Sequence, residues 1–333
     1  MKILHLCNNA VLGRYKISWI QEEFAKHGIE YIHNISSVPK GWRTPELLIP
    51  WIKENNVEWM FWGWEKHSVD IYENYWKQHP CKILIYGQEQ PQALIDLRKA
   101  KPYCDICITS SPVYRNEVHG FWPFGIHTRY IRNNGQKQNR ILMSGSYRHS
   151  RGQLMEWVLK HQPFEYPVYI YTPPLEHNTV EHDETRILAS RYPKFFYPAA
   201  KTREDYIYDL MYHLSTHRIF LDFTTNSTNK DKFHTDLDDL FNKGRTLPGG
   251  YCPERVLDAL YQDCRVVCFW DKALEQVLGS IPYYYCSYDE LRNSMKKAIH
   301  DSTNYKSSVE KYTTENVIRV ISETFKTNKV IEL

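Results

Sequence analysis

Two stretches of the sequence combine residue types and spacings suited to holding a phosphorylated ligand. The first runs Ile141-Leu142-Met143-Ser144-Gly145-Ser146-Tyr147-Arg148-His149-Ser150-Arg151-Gly152, an apolar strand pattern that enters a glycine-serine turn and then a helix. Gly145 lets the backbone approach a ligand, and amides at the start of the following helix favour an anion. Arg148 and Arg151 can grip phosphate oxygens in fork geometry. The plainer reading of the same residues is a strand-to-helix turn with two solvated arginines.

The second stretch runs Gly249-Gly250-Tyr251-Cys252-Pro253-Glu254-Arg255-Val256-Leu257-Asp258 and leads on to the apolar run Arg265-Val266-Val267-Cys268-Phe269. Pro253 suits the first turn of a helix, which puts the glycines just ahead of its N-terminus. Arg255 and Asp258 then share one helical face. There a carboxylate can accept hydrogen bonds from two ribose hydroxyls, while the arginine neutralises charge building on a departing diphosphate. The plainer reading is the wet side of an amphipathic helix. Tyr171-Thr172-Pro173-Pro174 ends another strand pattern and is placed to meet a nucleobase edge through backbone groups.

These residues need a scaffold, and a chain of 333 residues exceeds one ordinary core, so two domains are expected. In the first half, strand patterns at 3–7, 30–33, 59–62, 83–86 and 106–109 accompany a helix over 19–26 that Gly28 ends. Nearly continuous apolar strands predict a parallel sheet covered by helices, with ligands at the carboxyl ends of the strands. Phe121-Trp122-Pro123-Phe124-Gly125-Ile126-His127 reads as hinge packing, and the polar, aperiodic run from Arg132 to Asn139 reads as a linker. Beyond it the alternation restarts, with strands at 140–144, 168–171, 219–223 and 265–270 and helices over 153–161, 205–214, 254–261, 273–278 and 289–300. The polar segment 224–250 has the character of a functional loop, Tyr283-Tyr284-Tyr285 that of a strand, and a helix over 315–325 closes the chain.

In order, the strand, Gly-Ser-aromatic-Arg turn and helix, followed by Arg-Val-x-acid on a later helix and an apolar strand, resemble the C-terminal domain of GT-B glycosyltransferases. The likeness is greatest to the phage DNA β-glucosyltransferases that modify 5-hydroxymethylcytosine. It spans roughly residues 140–300, and the first half only in its strand-helix rhythm. The resemblance implies an α/β chain of two Rossmann-like domains facing a cleft, with the C-terminal helix crossing back to the first. Residues 1–133 would be the acceptor-side domain, 134–308 the nucleotide-sugar domain and 309–333 the closing helix and tail. It implies a diphosphate held by Gly145, Ser146, Tyr147, Arg148, Arg151 and Arg255, and a ribose held by Asp258, with Tyr171 and Thr172 beside the base.

By the same resemblance the donor is a nucleotide-sugar, UDP-linked, from which a hexosyl or pentosyl group moves to double-stranded DNA carrying hydroxymethylated bases. The family's catalytic aspartate follows a first-domain strand and shortly precedes a proline. Here the strand Ile83–Tyr86 is followed by Gly87-Gln88-Glu89-Gln90-Pro91, so Glu89 is the candidate base for an inverting transfer. His67, close to Glu65, is a weaker one. With arginines neutralising the diphosphate no cofactor is required, and a divalent metal is compatible but not implied. Two other readings stand beside this one. The acceptor could be a polysaccharide, a lipid-linked glycan or a protein; or, given the missing aspartate, the chain could be a non-catalytic nucleotide-sugar or nucleic-acid-binding module.

Composition narrows the classes further. The chain is 42% hydrophobic and 24% charged, ordinary for a globular protein, while 14% aromatic content suits cores and sugar- or base-stacking surfaces. A net charge of +3 means that a polyanion must be met by a local patch. No run approaches the ~20 apolar residues of a membrane helix, and the expected location is cytoplasmic with no membrane partner. The eight cysteines are scattered and read as reduced, buried thiols.

Overall fold

The computed structural model describes every residue except 7–16, 34–44, 64–77, 88–91, 124, 132–135, 146, 148, 176–179, 224–235 and 248. The chain divides into two compact units. One comprises Met1–Gly125, Gly249–Cys252 and Lys311–Leu333, the other Ile126–Pro248 and Pro253–Glu310.

The first unit runs β1 (Lys2–Leu6), α1 (Ile17–Lys26), β2 (Glu30–His33), α2 (Pro45–Glu54), β3 (Trp59–Gly63), β4 (Lys82–Gly87), α3 (Gln92–Ala100), β5 (Ile106–Thr109) and β6 (Gly120–Phe121). All six strands are parallel, in the order β2-β1-β3-β4-β5-β6. β5 is buried along its whole length, as a strand covered on both faces must be. Two helices here, α2 and α3, are absent from the sequence reading. Pro50 lies inside α2, and a proline reads as a stop because it lacks the N–H of the helical ladder. Leu48, Ile49 and Ile52 of α2 nevertheless enter the core with Leu4, Leu6 and Met60.

The second unit runs β7 (Gln138–Ser144), α4 (His149–His161), β8 (Val168–Tyr171), α5 (Val180–Arg191), α6 (Arg203–Thr216), β9 (His217–Asp222), α7 (Leu237–Lys243), α8 (Glu254–Tyr261), β10 (Arg265–Phe269), α9 (Lys272–Leu278), β11 (Tyr283–Tyr285) and α10 (Tyr288–His300). Its five parallel strands are ordered β11-β10-β9-β7-β8. Parallel pairing gathers all five carboxyl ends on one edge of the sheet. α6 starts on a capping box between Thr202 and Asp205, which satisfies two otherwise orphaned amides. The helix α11 (Thr314–Thr327) closes the chain and belongs to the first unit, where it packs on α1 and sets Phe325 against the edges of Trp59 and Phe61.

At the opposite edge of the second sheet lies a group of rings formed by Tyr169, Tyr197, His213 and His217. His217 is 1% exposed. Its Nδ1–H donates to the His213 carbonyl at 2.7 Å and its Nε2 accepts from the Tyr197 hydroxyl at 3.1 Å, the bonding of a neutral ring. Burial pulls its pKa down to about 3, with the charges of Arg140 and Lys137 acting in the same direction and the His213 hydrogen bond opposing. His213 is likewise lowered to about 4, first by burial. A folded pKa below the unfolded value means that this stability is complete above about pH 6.5 and is lost as pH falls toward 3. His217 by itself should cost about 2 kcal/mol between pH 7 and pH 5. Denaturant melts at the two pH values should show at least that loss, His213 adding to it, and His217→Gln should remove the share that His217 carries.

Candidate functional site

Among the carboxyl ends of the second sheet, the turn after β7 carries the sharpest backbone feature. Gly145 has φ +132°, and its N–H donates to the Tyr171 carbonyl at 3.0 Å, tying the exits of β7 and β8 together. An added Cβ there would lie 2.6 Å from Arg151 Nη1. Glycine is therefore required by the backbone conformation, and a side chain there would also displace the guanidinium lying over it. Arg151 rises from the first turn of α4, and its Nε donates to the Phe223 carbonyl at 3.0 Å. Arg255, in the first turn of α8, donates from Nε to Asp222 Oδ1 at 2.5 Å. Two arginines distant in sequence thus reach consecutive residues, Asp222 and Phe223, at the exit of β9.

Asp222 is 2% exposed. Oδ1 holds Arg255, whereas Oδ2 is buried without a hydrogen-bond partner. The Tyr285 hydroxyl, from the end of β11, donates to the Asp222 carbonyl at 3.2 Å. Burial first, and then the charge of Asp222, holds that phenol well above its ordinary pKa. The sequence reading missed Asp222, although a carboxylate ending the otherwise apolar Ile219-Phe220-Leu221-Asp222 run, where α/β ligands bind, was the available signal.

Other expected residues are placed differently. Asp258, assigned to ribose hydroxyls, is 3% exposed and turned to His127: Oδ1 accepts the His127 backbone N–H at 2.9 Å and Oδ2 the ring Nδ1 at 2.8 Å. Buried acids are held where hydrogen bonds replace water, and His127 supplies two. Tyr171 is 1% exposed, stacks on Tyr206 and donates its hydroxyl to Asp209 at 3.0 Å, so its ring belongs to the packing between β8 and α6. The carbonyls expected to meet a nucleobase are in use, Tyr171 by the Gly145 N–H and Thr172 by the Ala200 N–H. Tyr147 donates its backbone N–H to Thr185 Oγ1 at 2.8 Å and lays its ring where a Cβ on Gly152 would stand. Ser146, Arg148, Glu89 and His67 lie outside the described residues. Asp236, the first acid of an Asp-Leu-Asp triplet, caps α7 by accepting the Asp238 N–H. Among the described residues no three His, Cys, Asp or Glu side chains gather as metal ligands, and no helix is long and apolar enough to cross a membrane.

No protein-family model and no curated protein sequence matches this chain. Solved structures do. A sucrose-phosphate synthase from Thermosynechococcus elongatus superposes with a TM-score of 0.67 at 10% identity, covering 98% of each chain. A glycosyltransferase from Rickettsia africae gives 0.58 at 11% identity over 98% of each chain. The S. aureus MnaA–UDP structure gives 0.56 at 9% identity, over 98% of this chain and 96% of the other. With two parallel sheets, each flanked by helices, the chain has the GT-B fold of two Rossmann-like domains.

Proposed function

We propose that this protein is a GT-B glycosyltransferase that moves a sugar from a nucleoside diphosphate sugar to a hydroxyl acceptor, with the donor held by the second unit. The observation that carries the reading is the meeting of Arg151 and Arg255 at the Asp222-Phe223 exit of β9, beside the positive-φ Gly145. Cationic forks at the carboxyl ends of a parallel sheet suit a diphosphate, and they act most strongly when it departs with its full charge. Uridine is the favoured base, since one structural neighbour was solved with UDP. Glu89, two residues past the end of β4 in sequence, is the proposed base that deprotonates the acceptor hydroxyl. Asp258 enters this reading as the anchor of His127.

For the acceptor, a sugar, glycan or protein hydroxyl is better supported than DNA, because the structural neighbours are named for carbohydrate chemistry. Thermal melting with UDP, GDP, ADP and their sugars identifies the donor, since a ligand at a hundred times its Kd stabilises by about 2.7 kcal/mol. Release of the nucleoside diphosphate is then followed with oligosaccharide, glycolipid, protein and hydroxymethylated-DNA acceptors. A rise in Tm with one diphosphate and turnover with one acceptor class is expected. If none of the diphosphates raises Tm, the donor reading fails; turnover with DNA alone would reverse the acceptor assignment.

A further inference from the structure

The buried acid at the end of β9 has no part in the reading so far, and its geometry is specific. Asp222 meets Arg255 through Nε, on the guanidinium's side edge, at 2.5 Å. Both groups are nearly enclosed, with 12% of the arginine side chain and 2% of the aspartate exposed. An arginine that far from water needs a counter-charge to stay there, and a planar guanidinium gripped at Nε is fixed in its plane as well as in its position. The Tyr285 hydroxyl on the Asp222 carbonyl and the Arg151 Nε on the next carbonyl, that of Phe223, fix the backbone from which the carboxylate springs. The second carboxylate oxygen is buried and takes no hydrogen bond from another protein group, so among the described residues the acid's one protein hydrogen bond through its side chain is the one to Arg255.

We infer that Asp222 is a positioning residue for the donor diphosphate: it holds the Arg255 guanidinium in the plane in which that arginine meets phosphate oxygens beside Arg151. The inference rests on the proposed donor site and adds a residue that neither the turn after β7 nor the α8 motif contains. A purely structural ion pair would lower stability when broken but would not discriminate between ligands with and without phosphate.

The test measures binding of UDP, inorganic pyrophosphate and uridine to the whole chain by calorimetry, for the wild type, Asp222→Ala, Asp222→Asn, Arg255→Ala and the Asp222→Ala/Arg255→Ala double variant. Asp222→Ala should weaken UDP and pyrophosphate at least ~10-fold and leave uridine within about twofold. The double variant should bind no more weakly than Arg255→Ala, because the acid acts through the arginine. Asp222→Asn should recover only part of the loss, since its amide oxygen still accepts from Nε but the counter-charge of the buried guanidinium is gone. If Asp222→Ala does not fold, Asp222→Glu carries the test: the charge stays, the added methylene shifts the guanidinium, and the same phosphate-selective loss is expected. Equal weakening of uridine and UDP, multiplicative losses in the double variant, or unchanged UDP binding in both Asp222→Ala and Asp222→Glu would overturn the inference while leaving the donor site standing. Failure of the wild type to bind either UDP or pyrophosphate would overturn the donor reading and this inference together.

Discussion

Replacing Arg151 by alanine is expected to lower kcat/KM for sugar transfer by about 10²–10³-fold, the usual cost of removing one preorganised group from developing anionic charge. The side chain lies over the Gly145 backbone and is braced through Nε on the Phe223 carbonyl, so its guanidinium is held in place before any ligand arrives. Most of the loss should appear in kcat, because charge on the leaving diphosphate is greatest in the transition state. Arg151→Lys should recover little: an ammonium has no planar fork with which to bond the Phe223 carbonyl and a phosphate together. Steady-state kinetics with the donor identified by melting measure the effect. Turnover within about threefold of wild type in Arg151→Ala would remove this arginine from the site. Gly145 is tied to the same outcome, since an alanine there brings a Cβ onto the guanidinium at a backbone conformation that side chains rarely adopt.

The second large effect falls on stability. Asp258→Ala should destabilise the chain by about 2–4 kcal/mol, because it leaves the His127 amide and ring nitrogen without the buried acceptors they now use. In a unit of this size that is a fall in Tm of about 10 °C, measurable without ligand. Asp258→Asn should lose less, keeping one acceptor oxygen for the amide. A ribose-binding carboxylate would behave differently: Tm would hold, and the donor KM would rise. Melting and kinetics on the same two variants therefore decide between the anchoring role and the ribose role.

Asp258 shares its helix with Arg255, three residues away and with a different fate. Arg255 and Asp258 share a face of α8, as helical spacing requires, yet Arg255 turns to the exit of β9 and Asp258 to His127. The bland alternative, a solvated amphipathic face, does not describe either of them: α8 buries Val256, Leu257, Asp258, Ala259 and Leu260 in succession, and the polar groups it encloses are bonded.

Local chemistry made much of this protein legible in its sequence. Apolar runs such as Ile106-Cys107-Ile108-Thr109 and Arg265-Val266-Val267-Cys268-Phe269 announce buried parallel strands because a strand covered on both faces has no polar side to show. Gly145 and Arg151 could be picked out because a glycine leaving a strand, followed six residues on by an arginine at the start of a helix, is a short-range pattern. α2 was hidden by Pro50, and α5 by an apolar pattern too sparse to stand out. What only the tertiary structure decided is partnership across long sequence distances: Arg255 with Asp222, Asp258 with His127, Tyr171 with Asp209. Periodicity tells which face a side chain occupies, but a buried charge is stabilised by whichever group the packing of several elements brings against it, and that is settled when the strands take their order in the sheet.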